Sequence, residues 1–503
     1  MKDIKNKIKQ MAESDGFSST TMTALVIAVV MVVNIFLYIV VQAFGLYLYK
    51  IENDDLSLSG ATDALFAEAI SEGKKVKVSF CMTEDVIKTH DTGAFVYKTA
   101  KYFEERYEGF IELDFINIIT QRNEHGELIS LSKYKTDMYG AKTPIYASSV
   151  IFEYEDNYRV VSDTYTTAGF APFFVLDSEL QADAYNGEEV FAGMVSWVLS
   201  SEHKRAYFTS HHGETADLAF SNLLSYAGYY VDLIDLRKEE VPKDADLVII
   251  SNPTSDFESG SGLRAEIDRL KSYADEGGNI MVMLDPYVKT LATLEAFLAE
   301  YGIAFSTTEN KQGKKIRNMI KDPNGAVMTD GFTLVTEYSS DPLAKAIEKA
   351  VSTYTDGSVL VREVSALSLS DGAKPLLISS SSSVLEAGGK TVARGGSYCA
   401  AAYASRDTEN GKTNIFVVPS AYIAVSDAIV TTGYSNRDFM YAIFEYLYGA
   451  KGMPYGSNVA VYDAETLENL KMGTAKIYTA IIMAIPATIT LVGVAVITKR
   501  KNR

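Results

Sequence analysis

The chain has 503 residues, room for roughly three domains, and its hydrophobic content of 47% can fill their cores. Lys and Arg number 47 against 65 Asp and Glu, a net charge of -18, which argues against nucleic acid or an anionic membrane surface as main partner. Two cysteines in so long a chain exclude a disulfide-built scaffold.

Taken in order, residues 1–23 form a basic tail carrying Lys2, Lys5, Lys7 and Lys9. Ala24–Tyr49 is apolar and strongly polar only at Asn34 and Gln42; near the other end, Ile477–Thr498 carries no charge. Each exceeds the ~20 residues that a helix needs to cross the hydrocarbon core, and Pro486 is tolerable there. Lys499, Arg500, Lys501 and Arg503 form a second basic tail, 499–503. By the positive-inside rule both tails are cytoplasmic and residues 50–476 lie outside. Val41-Gln42-Ala43 resembles a signal-cleavage site, but the apolar run continues through Phe44–Tyr49, which favours an uncleaved anchor.

Residues 50–195 open with an acidic connector. Val76–Phe80 then reads as a strand, Val96, Ala100, Phe103 and Tyr107 mark a helix face, and Phe110–Ile116 reads as a second strand. With Thr143-Pro144 and a hairpin over Ser149–Val161, this resembles a thioredoxin-like α/β domain. Where such a domain carries Cys-x-x-Cys, this chain has Cys81-Met82-Thr83-Glu84, so disulfide exchange is not expected. Val190, Met194, Trp197 and Val198 predict a helix over Tyr185–Leu199.

Residues 196–310 alternate strands and helices, the signature of a parallel sheet. The strands are Ala206–Thr209, Tyr230–Leu236, Leu247–Ser251 and Asn279–Leu284. Phe220, Leu223, Leu224 and Ala227 form one helical face, and Leu263, Ile267, Leu270 and Ala274 another. Each helix ends at glycine, Gly228 or Gly277-Gly278, and a third, Leu291–Tyr301, closes at Gly302. In open α/β sheets ligands sit beyond the carboxyl ends of the strands. Three strands end in polar clusters there: His211-His212-Gly213-Glu214, Asn252-Pro253-Thr254-Ser255-Asp256, and Asp285-Pro286-Tyr287. The ligand-binding candidates are His211, His212, Glu214, Asn252, Asp256 and Asp285. Turn and capping roles compete for all of them. Adjacent histidines alternate across a strand end, so both rarely bind one ion; a mixed metal site from His211 or His212 with Glu214 and Asp285 ranks below turn, capping and ligand-contact roles.

The succession of HHGE after a strand, DADLVIISNP, EGGNIMVMLDP and a closing YGI resembles the GldG-like auxiliary component of ABC-type transport systems, named from gliding motility. That resemblance implies a flavodoxin/class I glutamine-amidotransferase-like parallel sheet. It also implies a partner permease and a cytoplasmic ATPase on separate chains. Where the family carries Gly-His-Gly-Glu, this chain has His211 first.

Residues 311–455 bring a basic loop, Lys311–Lys321, read as solvated loop or as a contact to anionic lipid or a partner. Short apolar runs follow at Phe332–Val335, Val359–Glu363, Pro375–Ile378, Thr391–Ala393, Tyr398–Ala404 and Asn414–Val418, with helices near Pro342–Val351 and Arg437–Tyr448. They either complete the sheet or form a mixed α/β companion. Residues 456–476 link back to the second span.

No nucleophile motif is present: the turn after Leu247–Ser251 has no thiol, and Cys399 falls within a predicted strand. Val384-Leu385-Glu386-Ala387-Gly388-Gly389-Lys390-Thr391 misses the first glycine of a phosphate loop. The expectation is therefore a non-enzymatic, two-pass auxiliary subunit without cofactor or metal. Asn34 and Gln42 then face either a permease helix or a helix of their own chain. Two rivals stand beside it: a module binding a sugar or cell-wall fragment in the crevice, and a hydrolase using Glu214, Asp256 or Asp285 with a histidine.

Overall fold

The computed structural model describes residues 58–461, except 123–130, 138–140, 164–168, 177–178, 216, 259–264, 431–432 and 450–451. The expected spans Ala24–Tyr49 and Ile477–Thr498, both tails, and the candidates Asn34 and Gln42 lie outside the described residues. Among the described residues, no helix is long and apolar enough to cross a membrane.

The unbroken apolar runs of Leu247–Ser251 and Asn279–Met283 call for a strand covered on both faces. They lie side by side and parallel, and Leu247–Ser251 is buried at every residue. Lys204–Thr209 flanks Leu247–Ser251 in parallel, and Tyr229–Ile234 flanks Lys204–Thr209. On the other side Gly411–Val418 joins Asn279–Met283, again parallel. The five parallel strands therefore stand in the order 2-1-3-4-5, that of doubly wound, flavodoxin-like sheets.

Residues 284–410 intervene between the fourth and fifth of these strands. Part of that insertion widens the sheet. Cys399–Thr408 pairs antiparallel with Gly411–Val418, followed outward by Ala373–Ile378, Thr333–Tyr338 and Val359–Arg362. The later apolar runs thus complete and extend the same sheet, except Thr391–Ala393, which pairs with Val384–Ala387 in a separate three-stranded sheet.

Side chains alternate across it, as a pleated backbone requires. Val248, Ile250, Ile280, Val282, Ile415 and Val417 pack on one face with Ile267 and Leu270 of helix Glu266–Asp275 and Leu294, Phe297 and Leu298 of helix Ala292–Glu300. On the other face the ring of Phe208 meets Phe220 of helix Leu218–Tyr226 at 5.7 Å, and Phe220 lies 6.0 Å from Phe444 of helix Asn436–Tyr448. Each such fully buried ring or branched chain contributes ~1.5–3 kcal/mol relative to exposure.

A separate four-stranded sheet precedes it, ordered Ile111–Phe115, Val76–Phe80, Val150–Tyr154, Asn157–Val161. Its first pair is parallel, bridged by helix Gly93–Arg106, and the others are antiparallel. Phe103 of that helix packs on Phe66 at 6.2 Å and on Phe191 of helix Gly187–Leu199 at 5.2 Å. The helix expected over Tyr185–Leu199 begins only at Gly187. Tyr185 instead ends a strand, Ala182–Tyr185, paired with Ala460, a partner that local periodicity does not reveal. Cys81 and Cys399 are both free thiols, and burial pushes each up to about 12.

One buried carboxylate ties the two ends of this body together. Glu188 Oε1 accepts from Ser59 N at 2.6 Å and Thr62 Oγ1 at 2.7 Å, while its Oε2 accepts from Asn458 N at 2.7 Å. Beside it Glu189 accepts from Tyr441 Oη at 2.6 Å and from Asn186 Nδ2 at 3.1 Å, with Arg437 Nε at 3.6 Å. Arg437 in turn donates to Ser457 O at 2.6 Å.

Candidate functional site

Because Lys204–Thr209, Leu247–Ser251 and Asn279–Met283 are parallel neighbours, the three polar clusters do share the carboxyl edge of the sheet. The first two flank the point where the strand order reverses, the usual ligand position in such sheets.

His211 and His212 part company at the strand end, as alternation demands. His211 takes a positive φ of 78° and is exposed, its Nε2 3.4 Å from Asp235 Oδ2. His212 is 3% exposed, with its ring stacked 4.0 Å from that of Phe257. Its Nδ1 lies 2.8 Å from Glu214 Oε1 and its Nε2 3.1 Å from Glu266 Oε2. Burial alone lowers the imidazole's affinity for a proton, but the two carboxylates outweigh it and the net direction is up. For Glu214, burial is the largest single influence and pushes upward, but the hydrogen bond from His212, the backbone N–H groups of His212 and Glu214 and the charge of His212 together outweigh it, so its carboxyl is held below the usual range. With both ring nitrogens facing carboxylates, the charged form donates on both sides.

The backbone of His212 is committed as well. Its carbonyl accepts from Thr254 N at 2.8 Å and Ser255 N at 2.9 Å, and its N–H donates to Glu214 Oε2 at 2.6 Å. Gly213, at φ 72°, lets the two loops touch, since a Cβ there collides with Thr254 Oγ1. Asp256 caps the helix Ala292–Glu300, accepting from Thr293 N at 2.7 Å and Leu294 N at 3.1 Å. Asp285 Oδ1 accepts from Tyr287 N at 2.8 Å, an Asx turn.

Asn252 is different. It sits at the sharp turn after the central strand with φ 53°, its N–H donating to Met283 O at 2.9 Å. Its side-chain oxygen is buried and, among the described residues, has no hydrogen-bond partner. The residue lines a cavity of about 290 Å³ with Thr215, Asp217, Ser251, Met283 and Val425. A strained strand-to-turn apex is the setting of a nucleophile elbow, but here a carboxamide occupies it. A carboxamide has hydrogen bonds to offer and is not a nucleophile.

The structure therefore brings His212, Glu214 and Asn252 to adjoining loops, gives Asp256 and Asp285 turn and cap duties, and turns His211 outward. Glu266 escaped the sequence reading, since an acid in a helix's first turn signals capping; Phe257 escaped it too. The backbone twist at Asn252 has no sequence signature beyond the Asn-Pro pair.

No protein-family model matches the chain, and no curated protein matches it. Among solved structures it is similar to the mmIFT52 N-terminal domain (17% identity, TM-score 0.36, 49% of this chain and 98% of that one). It is also similar to a ThuA-like protein from Bacteroides uniformis (12%, 0.30, 50% and 94%). A third is PurLQS from Thermotoga maritima (16%, 0.27, 49% and 100%). Scores of this size carry no argument about function.

Proposed function

We propose that the chain is a non-enzymatic, membrane-anchored auxiliary subunit of an ABC-type transport system, of the GldG-like kind, holding its α/β body outside the membrane. The observation that carries this reading is the clasp at Glu188. Ser59 and Asn458 enter and leave the body at one carboxylate, which suits a body strung between two anchors in one bilayer. The apolar segments at 24–49 and 477–498 and their basic flanks supply those anchors and their orientation. The four-stranded sheet, a β-α-β unit followed by a hairpin, agrees with the thioredoxin-like reading of residues 50–195.

Two measurements test it. External protease on intact cells should digest the 50–476 body while antibody to the tails finds them only after permeabilisation. Affinity purification from gently solubilised membranes should recover a permease together with its ATPase. A body spared by protease, or a preparation free of any permease, overturns the proposal.

A second reading, an extracytoplasmic module for a sugar or cell-wall fragment, is favoured by one feature: the unpartnered Asn252 oxygen in its cavity. A thermal-shift screen with glycans should then find a ligand whose shift vanishes in Asn252→Gly. The glycine variant relieves backbone strain of order 1 kcal/mol, so it remains folded. The hydrolase reading has less support, because His212, Glu214 and Asp256 are all engaged in holding loops together.

A further inference from the structure

Two stretches that the function leaves unused meet in space: the Gly388-Gly389 pair and the basic stretch Lys311–Lys321, which is not one loop, since Lys315–Arg317 and Met319–Lys321 are strands. Gly388-Gly389 is the turn of a hairpin, Val384–Ala387 with Lys390–Arg394, and both glycines have positive φ, 55° and 75°. That two-residue turn accounts for the near-match to a phosphate loop. Beside it the hairpin Thr307–Glu309/Lys315–Arg317 and the loop Pro286–Thr290 close a cavity of about 510 Å³.

Its lining is cationic in a strongly acidic protein. Lys289, Lys314, Lys315 and Arg317 face it with one carboxylate, Glu386, and Glu386 is already paired with Lys321 at 3.1 Å. Arg317 is consumed by Glu295 at 2.7 Å and stacks 4.2 Å over Phe305, which fixes the wall. Among the described residues, Lys289, Lys314 and Lys315 have no carboxylate within ion-pair distance. Three uncompensated ammonium groups around one concavity raise each other's cost until an anion enters. The floor is apolar, formed by Pro286, Val288, Ile316, Met319 and Phe332.

We infer that this cavity binds a multiply charged phosphate group carried on an apolar body, with Lys289, Lys314 and Lys315 meeting the phosphate and the floor meeting the body. A phospholipid headgroup and a soluble phosphate ester share that chemistry. The site is built from other residues than the crevice at Asn252 and does not depend on the transporter reading.

The test uses the full chain in nanodiscs of zwitterionic lipid, titrated by calorimetry with pyrophosphate and, separately, with dihexanoyl phosphatidate. Binding of at least one probe is expected, weakened roughly tenfold or more in Lys289→Ala/Lys314→Ala/Lys315→Ala and by added salt. The exposed lysines leave folding intact when truncated, and the distant pair Lys374→Ala/Lys412→Ala should bind as the native chain does. Phosphatidate binding more tightly assigns a lipid source, whereas pyrophosphate binding as tightly assigns a soluble phosphate and overturns the part given to the apolar floor. If neither probe binds, or both lysine variants lose binding alike, the inference is wrong.

Discussion

At the scale of single residues, His212 shows how a candidate ligand becomes a fastener. Unfolded, its imidazole titrates near 6.5, and in the fold its value is raised. Its contribution is complete below that figure and is lost as pH climbs through the folded value. Glu214 runs the opposite way. Its carboxyl is held below the ordinary 4.5, so its contribution is present above that and disappears as pH falls through the folded value. The pair therefore stabilises most between these two limits. Replacing His212 by Gln leaves Glu214 and Glu266 buried without their cation, which costs about 3 kcal/mol. The gap in melting temperature between the native chain and His212→Gln should be widest between pH 4.5 and 6.5 and shrink as pH climbs through the raised folded value of His212. A gap unchanged across that range would show that packing under Phe257, and not charge, holds the loop. The sequence disclosed the histidine and Glu214 because they are close neighbours, whereas Glu266 reaches them only through the tertiary fold.

Elements repeat that division. The parallel strands and their amphipathic helices were legible, since period and glycine stops are local physics, and the strand bounds shift by only a residue or two. Partners distant in the chain were not. Nothing near Glu188 indicates that it meets Ser59, Thr62 and Asn458, because helix Gly187–Leu199 is apolar enough to read as plain core. That contact predicts a coupled loosening. Glu188→Ala strands buried donors from both ends, at ~1–3 kcal/mol each. Hydrogen exchange should then quicken together in residues 59–71 and 453–461, while Leu247–Ser251, buried in the sheet centre, keeps its native rate. Faster exchange at one end only would mean that the carboxylate serves a single segment and that the two ends are held independently.

For the molecule as a whole, the decisive feature is a sheet that ignores sequence order. Residues 196–310 contain four of the five parallel strands, and the fifth, Gly411–Val418, arrives only after the long insertion. It covers the edge of Asn279–Met283, whose residues Ile280–Met283 are all buried. Removing it exposes an unpaired apolar edge, the template on which chains aggregate. It also strips Ile415 and Val417 from the core shared with helices Glu266–Asp275 and Ala292–Glu300. Two chains cut from the described body separate the possibilities. The one spanning 53–463 should be monodisperse and melt cooperatively. The one ending at 310 should be insoluble or expose hydrophobic surface to dye, since no later residue can take the place of the missing strand. A soluble, cooperatively melting 53–310 fragment would show that the antiparallel extension is an accessory, and the limits of the working unit would have to be redrawn around four strands.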